Sequence, residues 1–356
     1  MITRPLVFRD EHLPGELRHR EPQIRQIIQE LNRMTAEALD QDVLISGPSG
    51  VGKTVLGRHT LDEYAAEHGL PWTRIRTLGM TSGDVLREVI DQHPSDVTVA
   101  ANTPNDELPD ILREVVDEHY VVMLDEGDGL PETGAVRELV DVPNVGVLVV
   151  CHDAMDWLSR ADPRVRDHFQ GGQVELSRYS VDELADILED RARAGLYPDA
   201  VSRAQLESIA DGVAGVARNG IQTLRAAAEL AADRGHDTIY DDDVADGYER
   251  ARRHIRAANL NSLPLHHLVL YEIIRTGGRV QASELHERYE TIADDIYAGR
   301  PKVPISRRDR RNKLAKLREY DLVVREQVNH RWFYSAVDEG LAPPVEFSLT
   351  GSTSVS

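Results

Sequence analysis

The chain has 356 residues, with 41 lysines and arginines against 61 aspartates and glutamates, so its formal net charge is −20. No apolar run is long enough to cross a bilayer, and a single cysteine excludes an internal disulfide framework. The charged start of the chain also lacks the apolar core of a signal peptide. We therefore expect a multidomain globular protein of the cytoplasm.

The basic residues are almost all arginine. Only four lysines occur, and they are Lys53, Lys302, Lys313 and Lys316. An acidic, lysine-poor surface keeps a protein soluble where salt screens charge over about 3 Å at 1 M. The composition favours a protein from a cytoplasm of molar salt. The alternative is an ordinary, mildly acidic protein that is rich in arginine.

The first part of the chain has the pattern of an α/β fold. Residues 20–39 have the periodicity of an amphipathic helix, and residues 43–45 predict a buried strand. The valine-rich runs at 120–124 and 145–150 are too short for buried helices and predict further strands of a parallel sheet. We assign this domain to residues 1–178.

A helical part follows, without a strand signal. Ser180 and Glu183 form a capping-box pattern at the start of one helix, and residues 218–232 predict another. We expect an all-α domain at residues 179–260.

The last folded part predicts a winged helix-turn-helix at residues 261–340. Three helices are expected at 264–275, 283–297 and 306–320, followed by strands at 322–327 and 331–335 that join at Asn329. Residues 341–356 are rich in proline, serine, threonine and glycine and predict a disordered tail.

A phosphate-binding loop lies between the first strand and a helix, where the sequence GPSGVGKT matches G-x-x-x-x-G-K-[ST]. Backbone N–H groups of such a turn hold phosphates. The compact ammonium of Lys53 fits between the β- and γ-phosphates, where a planar guanidinium is too wide, and the Thr54 hydroxyl ligates Mg²⁺. ATP or ADP with Mg²⁺ are thus the predicted cofactors, and the predicted contacts are Gly47, Pro48, Ser49, Gly50, Val51, Gly52, Lys53, Thr54 and Val55.

Two carboxylates, Asp125 and Glu126, end the strand predicted at 120–124. Asp125 is expected to hold Mg²⁺ through water, and Glu126 to polarise the attacking water. An acidic pair after a strand is by itself more often a solvated loop. Its position behind a phosphate loop favours the catalytic interpretation.

This order of phosphate loop, acidic strand end, helical domain and winged helix resembles the archaeal initiator family over residues 7–339. These AAA+ ATPases are related to the eukaryotic origin recognition complex and its cell-division-cycle loading partner. The resemblance implies a P-loop parallel-sheet base, an all-α lid and a winged helix-turn-helix that binds DNA.

The resemblance also implies roles for residues outside the phosphate loop. The sequence LPGELRHRE at 13–21 is similar to the family's N-terminal signature, whose backbone lies against the adenine, and it adds Leu13, Pro14 and Arg20 to the nucleotide contacts. The sequence GVAR that ends at Arg218 is similar to the lid motif, in which this arginine touches the γ-phosphate. A solvated helix arginine is the alternative.

Two further positions concern hydrolysis. The family usually has an asparagine that orients the attacking water at the end of the next strand, and His152 takes that place here. An imidazole can hydrogen-bond water with a different reach, so we expect tight ATP binding with weak turnover; alternatively, His152 only ends the strand. Arg164 lies in a stretch similar to the one that carries the family's arginine finger.

Positive charge is concentrated between residues 300 and 331 of this acidic chain. Together with the winged-helix pattern, it predicts binding to double-stranded DNA, with the helix at 306–320 in the major groove. A solvated helix face is the alternative. The predicted DNA contacts are Arg307, Arg308, Arg311, Lys313, Arg325 and Arg331.

The resemblance implies a nucleoid-associated, ATP-controlled initiator that binds origin DNA and assists recruitment of the replicative helicase, as a monomer or in assemblies on DNA. A competing hypothesis is an ATP-responsive transcription regulator, or a diverged paralogue that binds DNA without firing origins. A clamp loader or remodelling enzyme suits the ATPase half, but the winged helix argues against it.

The composition leads to a direct prediction. If the acidic surface is an adaptation to molar salt, the protein unfolds when salt is removed, because carboxylate repulsion is then unscreened. Circular dichroism melts from molar to millimolar KCl measure this. Full thermal stability in dilute buffer would contradict the salt-adapted interpretation.

Overall fold

The computed structural model describes residues 1–37, 42–95, 97–100, 102–130, 133–300, 302–345 and 347. It divides into two compact units, Met1–Ala251 and a second that begins at Arg252. Residues 38–39 of the predicted first helix, and most of the predicted tail, lie outside the described residues. Within the described ranges, no helix has the length and apolar character that a membrane span requires.

A parallel sheet forms the centre of the first unit, in the order β2-β3-β4-β1-β5. Its strands are β1 (Val43–Ser46), β2 (Trp72–Arg76), β3 (Tyr120–Asp125), β4 (Val145–Val150) and β5 (Gly172–Glu175). β1 and β3 are buried at every position, which explains their continuous apolar sequences. Because all strands run parallel, the residues that follow β1, β3 and β4 meet at one edge.

Helices cover both faces of this sheet. In the described ranges, the α-helices that precede β5 are α1 (Glu21–Glu37), α2 (Lys53–His68), α3 (Ser82–Asp91), α4 (Leu108–Val115), α5 (Gly134–Val140), α6 (Ala154–Arg160) and α7 (Pro163–Phe169). Val122 and Leu124 of β3 point into a core with α3 to α7, while Val121 and Met123 point into a core with α1 and α2. The α/β prediction is therefore confirmed as a three-layer sandwich.

The next helices are α8 (Val181–Gly195), α9 (Arg203–Gly212), α10 (Ala217–Asp233) and α11 (Asp241–Asn261). The predicted capping box of Ser180 and Glu183 starts α8. Phe8 in the short 3-10 helix Pro5–Phe8 is fully buried in the core of these helices, although we had assigned it to the base domain. The domain boundaries stay predictions.

The second unit contains a winged helix-turn-helix, as predicted. Its elements are α12 (Leu265–Gly277), β6 (Val280–Gln281), α13 (Ala282–Tyr297), α14 (Arg307–Glu319), β7 (Val323–Val328) and β8 (Arg331–Ala336). The three strands form an antiparallel sheet in the order β6-β8-β7. Asn329 and His330 have φ values of 50° and 61°, as the two central residues of a tight hairpin turn require.

One buried carboxylate holds the start of α11 in the helical domain. Asp243 is 0% exposed. It accepts hydrogen bonds from Arg234 Nη1 at 2.8 Å, His236 Nδ1 at 2.8 Å and the Tyr240 N–H at 2.9 Å. Burial alone would raise the pKa of Asp243, but these three donors outweigh it and hold the pKa below its usual value.

We expect Asp243→Asn to lower the free energy of unfolding by about 2–3 kcal/mol at pH 7, because the three donors lose a buried negative partner. The difference from wild type should narrow below about pH 4, where a carboxylate with a lowered folded-state pKa loses its contribution. Denaturant unfolding at both pH values measures this. Asp242→Asn, one residue earlier and exposed, is the control; an equal effect of both substitutions would contradict the assignment.

Candidate nucleotide site and DNA-binding surface

The phosphate loop is wound tightly between β1 and α2. Gly47, Gly50 and Gly52 have φ values of 143°, 78° and 95°, which side-chain-bearing residues rarely adopt. Lys53 Nζ donates to the carbonyl oxygens of Gly47 at 2.6 Å and Pro48 at 2.8 Å, so the ammonium lies over the loop. Of the other predicted contacts, Ser49 is exposed, Val51 is buried, and Thr54 and Val55 are half-buried.

Thr54 and Asp125 come together at the edge of the sheet. Thr54 Oγ1 donates to Asp125 Oδ1 at 2.9 Å, and Asp125 is only 3% exposed. Hydroxyl and carboxylate oxygens are ligands that Mg²⁺ prefers, so Thr54 and Asp125 fit the predicted metal. Arg74 of β2 donates to Asp125 Oδ2 through Nε at 3.0 Å and Nη2 at 2.5 Å, which compensates the buried charge.

Glu126 is held by a second arginine of the same strand. Arg76 donates to Glu126 Oε1 through Nε at 2.8 Å and Nη2 at 2.6 Å, and Thr77 Oγ1 donates to the Glu126 carbonyl at 2.9 Å. Arg74 and Arg76 are two residues apart on a strand and therefore face the same side. Our sequence reasoning missed both, although the alternation of two arginines around the buried Ile75 is a strand signal.

His152 and Arg164 are both exposed. The His152 N–H donates to Asp128 Oδ2 at 2.7 Å, and its carbonyl accepts from the Gly47 N–H at 3.2 Å, so the end of β4 is joined to the phosphate loop. Arg164 Nη1 donates to Asp141 Oδ2 at 3.0 Å on the surface of the same domain. The roles predicted for both residues stay predictions.

Arg20 connects the N-terminal signature to the phosphate loop. It is 4% exposed, and its Nε donates to the Tyr179 hydroxyl at 2.9 Å. Its Nη2 donates to the carbonyl oxygens of Ser177 at 2.8 Å and Val51 at 3.4 Å. Arg20 thus positions the loop against the segment that leads into α8. Leu13 and Pro14, the other predicted contacts of this signature, are half-buried.

Arg218, at the start of α10, lies directly beside the phosphate loop. Its backbone N–H donates to the Gly50 carbonyl at 3.1 Å. Its guanidinium contacts Asp10 Oδ2 through Nη2 at 2.6 Å and Nε at 2.9 Å. The structure therefore places Arg218, the predicted γ-phosphate contact, beside the phosphate loop. Asp10, which the sequence did not single out, is its acidic partner.

The predicted DNA-binding helix presents arginines to solvent. Arg307, Arg308 and Arg311 of α14 are exposed; Arg307 pairs with Glu290 at 3.2 Å, whereas Arg308 and Arg311 form no ion pair with another described residue. Lys313 is half-buried and therefore less accessible than these three exposed arginines. Burial also lowers the pKa of Lys313.

The wing, which is the hairpin of β7 and β8, carries the two remaining predicted DNA contacts. Arg325 and Arg331 are both exposed, and the Arg325 guanidinium lies 4.0 Å from the centre of the Trp332 ring on the neighbouring strand. The stacking places a cation on an exposed aromatic surface of the hairpin.

A buried arginine anchors α14 from behind. Arg310 is 3% exposed, and its guanidinium lies 4.6 Å from the centre of the Tyr289 ring. Its Nη2 donates to Glu290 Oε1 at 2.9 Å and its Nη1 to the His286 carbonyl at 3.1 Å. The contacts of Arg310 with α13 thus hold α14 in place through a buried charged residue, and Arg308 and Arg311 lie on the exposed side.

Comparison with known proteins decides the family. Residues 16–173 match the model of an AAA ATPase domain, and residues 185–249 match that of a Cdc6 AAA+ ATPase-type lid domain. ORC1-type DNA replication protein 9 of Halobacterium salinarum is 31% identical over 97% of this chain and 96% of its own length. The chain belongs to the ORC1-type DNA replication protein family.

Other members of the ORC1-type family agree with this assignment. ORC1-type DNA replication protein 1 of Halobacterium salinarum is 29% identical over 83% of this chain and 97% of its own length. The Aeropyrum pernix ORC1 protein, solved in complex with DNA, has a TM-score of 0.67 and 20% identity over 94% of this chain and 93% of its own. At that identity the likeness concerns the fold.

The Arg76–Glu126 pair leads to a prediction for this ORC1-type chain. Arg76 holds the Glu126 carboxylate that is expected to polarise the attacking water. Arg76→Ala should release this carboxylate and raise the rate of ATP hydrolysis by about fivefold, which is the rate change equivalent to the free energy of one partly exposed ion pair. Phosphate release in molar KCl measures the rate. The control is Arg113→Ala, which removes the exposed pair with Asp110 on α4. An unchanged or lower rate in Arg76→Ala would show that Arg76 does not restrain Glu126.

Proposed function

We propose that this chain is an ATP-controlled initiator that binds double-stranded origin DNA and assists in bringing the replicative helicase to it. The observation that carries the proposal is the pair of exposed arginines, Arg308 and Arg311, which have no ion pair with a described residue in a chain of net charge −20. A chain with this many carboxylates offers many possible partners for its arginines. Exposed arginines that have no such partner on a winged helix are suited to binding the phosphates and guanine edges of DNA.

Nucleotide binding rests on the phosphate loop and the two carboxylates behind it. Lys53 and the loop amides would hold the phosphates, and Thr54 and Asp125 would hold Mg²⁺, which neutralises phosphate charge when bound. Nucleotide binding is supported by the fold neighbour ORC2 of Aeropyrum pernix, which was solved as ADPNP–ADP complexes. Its TM-score is 0.61, with 23% identity over 94% of each chain.

Slow hydrolysis follows from the surroundings of the expected water position. Glu126 is engaged by Arg76, and an exposed His152 stands where the family usually has an amide side chain. The chain would therefore remain bound to ATP for a long time. The bound nucleotide would control the state of the protein, and its hydrolysis would not drive mechanical work. Arg218 and Arg164 are the cations that we assign to γ-phosphate contact, the second from a neighbouring copy.

DNA recognition is assigned to α14 and the wing. Arg308 and Arg311 are one helical turn apart on the exposed side of α14 and can reach base edges in the major groove, while Arg325 and Arg331 lie on the hairpin and suit the adjacent backbone. In molar salt, phosphate contacts contribute little, so base contacts must supply more of the affinity. The Aeropyrum pernix ORC1 protein, a fold neighbour solved in complex with DNA, supports DNA as the partner.

One pair of variants tests both halves of the proposal. The double substitution of Arg308→Ala and Arg311→Ala should lower affinity for a duplex that the wild-type protein binds by tenfold or more and leave ATP binding unchanged, since each bidentate base contact is worth about 1–3 kcal/mol. Lys53→Ala should abolish ATP binding. Fluorescence anisotropy in molar KCl measures both. Arg288→Ala, on α13, is the control for surface charge.

The cellular role has a separate test. Chromatin immunoprecipitation combined with origin mapping should place the protein over inverted repeats at an active origin. Footprints spread over many promoters, with none at an origin, would favour the transcription regulator. Failure of the wild-type protein to bind any duplex or adenine nucleotide would overturn the proposal.

A further inference from the structure

The ion pair between Asp10 and Arg218 joins the N-terminal segment to the lid. Arg218 directs two donors, Nη2 at 2.6 Å and Nε at 2.9 Å, onto the same oxygen of Asp10. The side chains are 26% and 36% exposed, so water reaches the pair without surrounding it. A guanidinium that donates through two N–H groups binds a carboxylate or a phosphate in similar geometry.

Asp10 is held in place by anchors on both sides of it. Phe8 is fully buried, and its carbonyl accepts a hydrogen bond from Gln222 Nε2 of α10 at 2.7 Å. The carbonyl of Glu11 accepts from Arg58 Nη1 of α2 at 3.2 Å. The backbone around Asp10 is therefore attached to the lid before it and to the helix of the phosphate loop after it.

Arg218 is equally close to the phosphate loop. Its N–H donates to the Gly50 carbonyl at 3.1 Å, and a Cβ added to Gly50 would lie 3.3 Å from the Arg218 Cβ. The guanidinium can therefore turn from Asp10 to an anion at the loop while its backbone stays in place. Only one of these two acceptors can receive both donors at a time.

We infer that Asp10 is a specificity-determining residue, which competes with the terminal phosphate of a nucleoside triphosphate for Arg218. A triphosphate places a multiply charged group against Arg218 and displaces the single carboxylate, whereas a diphosphate leaves the pair intact. ATP binding then carries the cost of breaking the ion pair, and ADP binding does not. This inference rests on the proposed nucleotide site.

Asp10→Asn tests the competition. In molar KCl with Mg²⁺, where charge acts only over about 3 Å, the substitution should raise affinity for ATP about three- to fivefold and leave affinity for ADP within about twofold. Isothermal titration with each nucleotide measures the ratio, and a thermal melt checks that the variant is folded. Glu11→Gln makes the same charge change one residue later and should leave the ratio unchanged.

A double-mutant cycle decides whether Asp10 acts through Arg218. In an Arg218→Ala background, Asp10→Asn should no longer change the ratio of ATP to ADP affinity. An equal rise for both nucleotides, or the same change of ratio without Arg218, would overturn the inference while leaving the nucleotide site intact. A wild-type protein that binds neither nucleotide would instead overturn the proposed function itself.

Discussion

The close approach of the lid to the phosphate loop is the constraint on which the rest of the site depends. The Arg218 N–H of the lid donates to the Gly50 carbonyl of the loop at 3.1 Å, and within the lid the Tyr179 N–H donates to the Gly215 carbonyl at 3.1 Å. A Cβ at Gly50 would lie 2.7 Å from Val216 Cγ1, and one at Gly215 would lie 2.0 Å from the Tyr179 carbonyl oxygen. Both glycines have positive φ, 78° and 73°, so neither position accepts a side chain without strain. Loop and lid are thereby joined before any nucleotide contact is considered.

Arginine side chains form many of the hydrogen bonds and ion pairs around that junction. Arg74, Arg76 and Arg218 each direct two donors onto one carboxylate oxygen. Arg20 instead donates to three separate oxygens, those of Val51, Ser177 and Tyr179. Their planar, multiply donating head groups suit such pairs better than lysine does. If the protein works in molar salt, long-range attraction is screened, and only pairs in direct contact persist. The exposed Arg308 and Arg311 differ because no ion pair joins either of them to another described residue.

The features that could be predicted from the sequence are those that a short run of consecutive residues determines. The phosphate loop, β3 and β4 were predicted because a short motif or an unbroken apolar run is sufficient for each. β2 and β5 were missed, since each is only four or five residues long and polar residues interrupt its apolar positions. The pairing of Arg74 and Arg76 with the carboxylates depends on the register of β2 against β3. The burial of Phe8 in the lid depends on packing against residues far along the chain, and no local pattern carries that information.

The most direct measurement of the central claim is hydrogen exchange of the full chain in molar KCl, with and without ATP and Mg²⁺. If nucleotide is held where loop and lid meet, amide exchange should slow together in residues 47–54 and 215–220, because both segments lose local opening. ATP binding that leaves exchange in these two segments unchanged, or slows it only in the unit beginning at Arg252, would contradict the assignment.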